Sequence, residues 1–424
     1  MKTLFDIVLA NRQGKERGLY SVCCAQPHII EAAMCQSKLD NSIVLIEATA
    51  NQVNQFGGYT GMEPADFVEF IEAIARRLSF PMDKVILGGD HLGPVCWVNE
   101  PFESAKVKSE ALIAAYVKAG FKKIHLDTSM PCADDPLELT DEVVAERAAH
   151  LCKVAEKTAI NTFGYSDISY VVGTEVPPPG GAKEEINTLE VTPKLRVAKT
   201  IECHQLAFNE QNLQLAWERV IALVVQPGVE FDHTQVFDFD NSKVTELSSY
   251  IQTVPNIVFE AHSTDYQKPQ AYIDLVNSHF AILKVGPQLS FAMREAVFAL
   301  SHIEEQLFSI EHRSNIRDVF ETEMISNPKY WSKFYGEEVV NTKLLRKFSY
   351  SDRIRYYWNT AAVELALAKL LSNFEHQAIP LPLISQYLPE QYHQIRDGKL
   401  NADANSLIVS KIQSIIKLYA NACN

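Results

Sequence analysis

Three things are missing from this chain: a block of basic residues, an apolar run long enough to span a bilayer, and cysteines at paired metal-ligand spacing. The formal charge is −14, which argues against nucleic acid or an anionic membrane surface as a partner, although a local positive pocket remains compatible with it. No uninterrupted hydrophobic stretch reaches the roughly 20 residues that a membrane helix needs. The eight cysteines (Cys23, Cys24, Cys35, Cys96, Cys132, Cys152, Cys203 and Cys423) are scattered through predicted strands and helices. They read as reduced core thiols of a cytoplasmic protein. In the opening segment, residues 1–10, Asp6 interrupts the apolar run and no small-residue cleavage site follows, so it reads as a short amphipathic helix and not as a signal peptide.

What is present is an ordinary globular composition, 47% hydrophobic and 22% charged over 424 residues. Eight short apolar runs recur, at 18–25, 42–50, 84–93, 122–129, 169–176, 220–228, 256–264 and 280–287. Their near-continuous Val/Ile/Leu character predicts strands covered on both faces, as in a parallel sheet. Between them lie helical patterns at 27–38, 64–79, 103–119, 140–157, 192–209, 242–253, 269–278 and 289–308, several opening on proline or a Ser/Thr cap. Eight strand–helix units predict an α/β fold, a (β/α)8 barrel, over 1–309 with the N-terminal helix. A doubly wound open sheet is the alternative, but it does not require eight units so regular. Residues 310–424 lose the alternation. Their helical stretches at 327–335, 350–374 and 406–422, with a proline-bounded segment at 379–389, predict a helical extension packed on the barrel. Three prolines and two glycines at 176–182 form either a lid or a long connection.

In a barrel the strand ends converge on one mouth. Those ends carry Glu47, Asp90, His91, Asp127, Ser129, Glu175, Gln226, Glu260, His262 and Lys284, with Glu230, Asp232 and His233 in the loop after the sixth strand. An aspartate at a strand end caps the next helix about as readily as it does catalysis. Three imidazoles from separate units, His91, His233 and His262, can form an open site for zinc or another divalent metal, with Asp90 placed for proton transfer. The plainer reading gives each histidine a carboxylate or carbonyl partner and no metal. Lys284 suits an ion pair with Glu260 or an anion contact better than a Schiff base. The polar loop 52–61, rich in glycine, is either a substrate contact or a tight turn over the rim. Arg353 and Arg355 lie in a basic-aromatic stretch that docks a helix on the barrel or binds a partner or phosphate.

Long motifs at 51–62, 87–94, 173–176, 225–233, 260–267, 350–358 and 384–389 together resemble the accessory (Z) subunit of tagatose-1,6-bisphosphate aldolase. The similarity covers essentially the whole chain. It implies a barrel protein of galactitol or N-acetylgalactosamine catabolism, oligomeric, that pairs with a class II zinc-dependent catalytic subunit (Y) and supports its activity and stability in a chaperone-like way. The same family carries the label tagatose-6-phosphate kinase. The chain has no Gly-x-x-x-x-Gly-Lys-Ser/Thr cradle and no late glycine-rich anion hole, so kinase activity and a nucleotide cofactor are set aside. Asp90-His91 also resembles the third-strand pair of class II aldolases, in which the aspartate is the proton donor and the histidine a zinc ligand. His233 and His262 fall in the units that supply the other zinc histidines. Two departures from those enzymes stand out. Residues 261–266 replace a glycine-rich phosphate loop, and Pro287 offers no N–H to a phosphate. For an active barrel, the expected set is Asp90 and Glu175 in acid-base roles and His91, His233 and His262 on the metal. Glu47, Asn51, Gln55, Asp127, Gln226, Glu260 and Lys284 would then bind a phosphosugar.

Overall fold

A computed structural model describes residues 4–174, 189–336 and 339–424. Ten strands are present among them: β1 (Leu19–Val22), β2 (Val44–Thr49), β3 (Val85–Leu92), β4 (Lys123–Leu126), β5 (Ser169–Val172), β6 (Val220–Val224), β7 (Glu230–Phe231), β8 (Val236–Phe237), β9 (Val258–Ala261) and β10 (Ile282–Val285). Eight of them close into a parallel barrel in the order β1-β10-β9-β6-β5-β4-β3-β2. The chain is a (β/α)8 barrel. The remaining two, β7 and β8, pair antiparallel in the loop after β6, a hairpin that the apolar pattern did not reveal.

The strands form where the sequence is apolar on both faces, and each is followed by a helix of the outer ring: Pro27–Asp40, Pro64–Leu78, Phe102–Lys118, Asp141–Phe163, Lys194–Glu210, Thr245–Ile251, Pro269–Asn277 and Pro287–Leu307. Local chemistry sets their ends. Glu63 and Asp66 make a reciprocal capping box at the start of Pro64–Leu78. Thr140 accepts the Val143 N–H at the start of Asp141–Phe163, which runs past the expected Lys157 until Gly164 stops it in the left-handed region. The helix Leu4–Arg12 plugs the amino end of the barrel, where Leu4 and Val8 join an inner cluster with Leu19, Leu45 and Val171.

Beyond the eighth helix, the final helix Ala404–Cys423 packs against Pro27–Asp40, Pro269–Asn277 and Pro287–Leu307, and shares their apolar core. The stretch 350–374 is not one helix. Asp352 takes φ 44°, a short 3-10 turn covers Arg353–Tyr357, and the α-helix begins only at Ala361. Likewise only a 3-10 turn, Pro328–Tyr330, forms within 327–335. Aromatic density produced packing there, not helical periodicity. Among the described residues no helix is long and apolar enough to cross a membrane.

Candidate functional site

The centre of the barrel holds buried charge. Lys123 on β4 and Lys284 on β10 lie among three carboxylates, Glu47 on β2, Asp90 on β3 and Glu260 on β9, all 5% exposed or less. Lys123 Nζ stands 2.6 Å from Glu47 Oε1 and 2.8 Å from Glu260 Oε2. Lys284 Nζ contacts Glu47, lies 3.0 Å from Asp90 Oδ2 and 3.8 Å from Glu260 Oε1. Glycine at position 88 makes room for this: a Cβ there would meet Glu47 Cγ at 2.7 Å. Burial alone would lower both lysines, but Glu47, Glu260 and Asp90 hold their pKa values above the ordinary lysine range, so both stay charged. Lys284 is an ion-pair partner, of Glu47 and Asp90 first and of Glu260 at the longer distance.

Three imidazoles line the same space. The ring of His91 lies 5.2 Å from His125 and 5.0 Å from His262, centre to centre. A regular strand would send Asp90 and His91 to opposite faces. Here the β3–β4 register shifts between Gly89 and Leu92, and His91 takes φ 50°, so both side chains reach the centre. His91 Nδ1 is 2.7 Å from Asp127 Oδ2, and its Nε2 faces Asp90 Oδ2 at 3.7 Å. Burial opposes the charged ring, yet the two aspartates push the His91 pKa up, and the hydrogen bond from His91 in turn holds Asp127 down at about 2. His262 differs. Burial takes it down to about 4, so it is neutral near pH 7 and donates from Nε2 to Glu260 Oε1 at 3.0 Å.

The atoms of Asp90, His125, Glu260 and His262 that could coordinate all lie within 4.8 Å of one another. His125 Nδ1 meets Asp90 Oδ1 at 2.9 Å, and its Nε2 is buried with no hydrogen-bond partner among the described residues. Two imidazoles and two carboxylates suit a divalent cation, so the cluster is compatible with one. An ion held there would supply Lewis-acid polarisation. The chain's own contribution is two ammoniums, Lys123 and Lys284, that share Asp90 and Glu260 with the quartet and are joined by Glu47.

The expected site residues divide. Asp90, His91, Asp127, Glu260, His262 and Lys284 come together, with Glu47 below them. His233 does not join them and corrects the expected three-histidine set. The β7–β8 hairpin turns it toward the C-terminal extension, where its ring meets Ser351 Oγ at 3.0 Å and the Phe334 carbonyl at 2.9 Å, leaving neither nitrogen for a metal. His125 occupies the third imidazole position instead. His91, with carboxylates on both nitrogens, is a poorer ligand than His125. Gln55 is held away on the Lys108 carbonyl, and Gln226 spends its Oε1 on the Gly228 and Val229 N–H groups. Asn51 lies at the rim. Glu175 and the proline-glycine stretch 176–182 lie outside the described residues. Lys123 and His125 escaped the sequence reading, although a lysine and a histidine two apart in an apolar strand share its inward face.

Above this centre the mouth narrows to a cavity of about 90 Å³, roofed by Arg355 and Tyr356 of the extension. The loops after the seventh and eighth barrel strands, where barrel enzymes commonly seat a phosphate, are already filled. Asp265 Oδ1 accepts from the Gly286 N–H at 3.1 Å and the Gln288 N–H at 2.8 Å, and so caps the long eighth helix with the chain's own carboxylate.

Burial pushes the Asp265 pKa up to about 6 against the pull of these donors. A carboxyl raised in the folded state costs stability as pH climbs from its unfolded value, about 4, through 6. Asp265→Asn keeps the Oδ1 acceptor without the charge. Urea unfolding should show it level with the parent near pH 4 and about 3 kcal/mol more stable at pH 7.5, two pKa units at about 1.4 kcal/mol each. Asp265→Ala also removes the charge but orphans two buried N–H groups, and should be weaker than Asp265→Asn at both pH values, by roughly 1–3 kcal/mol per donor. An Asn variant without a pH-dependent advantage would refute the buried charge.

A family model described as D-tagatose-1,6-bisphosphate aldolase subunit, GatZ/KbaZ-like, matches residues 4–424. The chain belongs to this family. A crystal structure of a probable tagatose 6 phosphate kinase from Sinorhizobium meliloti 1021 is 44% identical, covers 96% of this chain and 100% of its own, and superposes with a TM-score of 0.89. The YdjI aldolase from Escherichia coli K12 (11% identity, 87% and 95% covered, TM-score 0.43) and a fructose-bisphosphate aldolase from Campylobacter jejuni (12%, 88% and 92%, 0.44) superpose too weakly to bear on its chemistry.

Proposed function

We propose that this GatZ/KbaZ-like subunit is the accessory partner of a class II tagatose-1,6-bisphosphate aldolase subunit. It supports that subunit's activity and stability in galactitol or N-acetylgalactosamine breakdown and does not itself turn over bisphosphate. The observation that carries this reading is Asp265, which occupies the backbone N–H pair that a substrate phosphate would need. The narrow mouth agrees with it, since small-molecule sites usually offer about 300–1,000 Å³. On mixing, the catalytic subunit should gain retro-aldol activity and thermal stability and co-elute with this chain on gel filtration. A catalytic subunit fully active and stable alone, with no complex formed, would sink the proposal.

A second reading is favoured by the Asp90–His125–Glu260–His262 quartet: a metal-dependent aldolase or isomerase acting on a phosphosugar. It requires stoichiometric metal in the purified chain and turnover that a chelator abolishes. Asp90→Asn separates the two readings. The accessory role leaves activity of the mixed subunits intact, whereas an acid-base role loses about 10²-fold or more.

A further inference from the structure

Among the described residues, a cavity larger than the mouth lies beside it. It is a groove of about 710 Å³ between the loops after β2 and β3 and the C-terminal segment around Tyr330. Its size falls within the ~300–1,000 Å³ of small-molecule sites. Its charged lining residues among those described are Lys329, Lys333 and Arg353, with no carboxylate, in a chain of net charge −14. Neither lysine has a carboxylate partner among the described residues, both are exposed, and Lys329 Nζ lies 5.2 Å from the centre of the Tyr330 ring. Arg353 is only 4% exposed. It stacks on Phe334 at 3.0 Å, donates from Nη1 to the Tyr330 carbonyl, and has a buried Nε with no hydrogen-bond partner. A buried guanidinium charge beside two exposed ammoniums, with no carboxylate to offset them, favours a phosphate in the groove.

The opposite wall is aromatic. Phe56 is 69% exposed and stands edge-on to Trp97, their centres 6.2 Å apart. An exposed phenylalanine on a glycine-rich loop stabilises no core, and apolar ring faces pack the C–H face of a pyranose or furanose. We propose that this groove binds a phosphorylated sugar, its phosphate on Lys329, Lys333 and Arg353 and its ring against Phe56 and Trp97. The binding site lies outside the barrel centre and is independent of whether that centre is catalytic.

Calorimetric titration of the full chain tests this with three probes: fructose 6-phosphate, fructose and inorganic phosphate. Fructose 6-phosphate should bind at least tenfold more tightly than either of the others. Lys329→Glu with Lys333→Glu, both on exposed positions that leave the fold intact, should weaken it at least tenfold, and so should Phe56→Ala. Asp90→Asn in the barrel centre should leave it unchanged. No binding at millimolar fructose 6-phosphate would overturn the proposal. So would phosphate alone binding equally well, or sensitivity to Asp90→Asn with none to the lysine pair.

Discussion

Lys123→Met is expected to cost about 3–5 kcal/mol of folding stability, the usual penalty for removing one member of a fully buried ion pair. Lys123 and both its partners, Glu47 and Glu260, are 0% exposed. Methionine matches the volume but leaves two carboxylates facing each other with only Lys284 to offset them. The expected readout is a large drop in the midpoint of urea unfolding with little change in slope. Adding Glu260→Gln should recover part of the loss, since it removes one of the uncompensated charges. A Lys123→Met protein within 1 kcal/mol of the parent would mean that water or a bound cation reaches the barrel centre.

The second large effect is expected where the extension joins the barrel. Arg294, on the eighth helix, is 1% exposed, and its Nε lies 3.1 Å from Asp352 Oδ1, while Ser290 Oγ donates to Asp352 Oδ2 at 2.6 Å. Arg294→Met should cost a similar 3–5 kcal/mol, because it strands a buried aspartate that burial already pushes above the usual carboxylate range. Asp352 also sets the left-handed turn that leads to Arg355 and Tyr356 over the mouth. A double-mutant cycle with Asp352→Asn isolates the coupling. If the two changes add independently, the pair does not hold the extension in place.

The fold was largely legible because both its signals are local. A strand covered on both faces must be apolar along its length, and eight such runs alternating with capped helices leave few topologies open. The candidate centre was legible only in part. Asp90, His91 and His262 were read from strand ends, and the structure does bring them together. His233 misled because a loop position says nothing about which way a hairpin turns, and β7–β8 turns it toward Ser351 and Phe334. Lys123 and His125 were overlooked because they precede the carboxyl end of β4, where chemistry was sought.

By itself the sequence determined the barrel, its order of units and the family to which the chain belongs, since periodicity and long motifs are written along the chain. The tertiary structure alone decided which charges meet: Lys123 with Glu47 and Glu260, and Asp265 with the Gly286 and Gln288 N–H groups. Those partners lie as many as 137 positions apart, and Coulomb energies and hydrogen bonds depend on distance in space, which only closure of the ring sets.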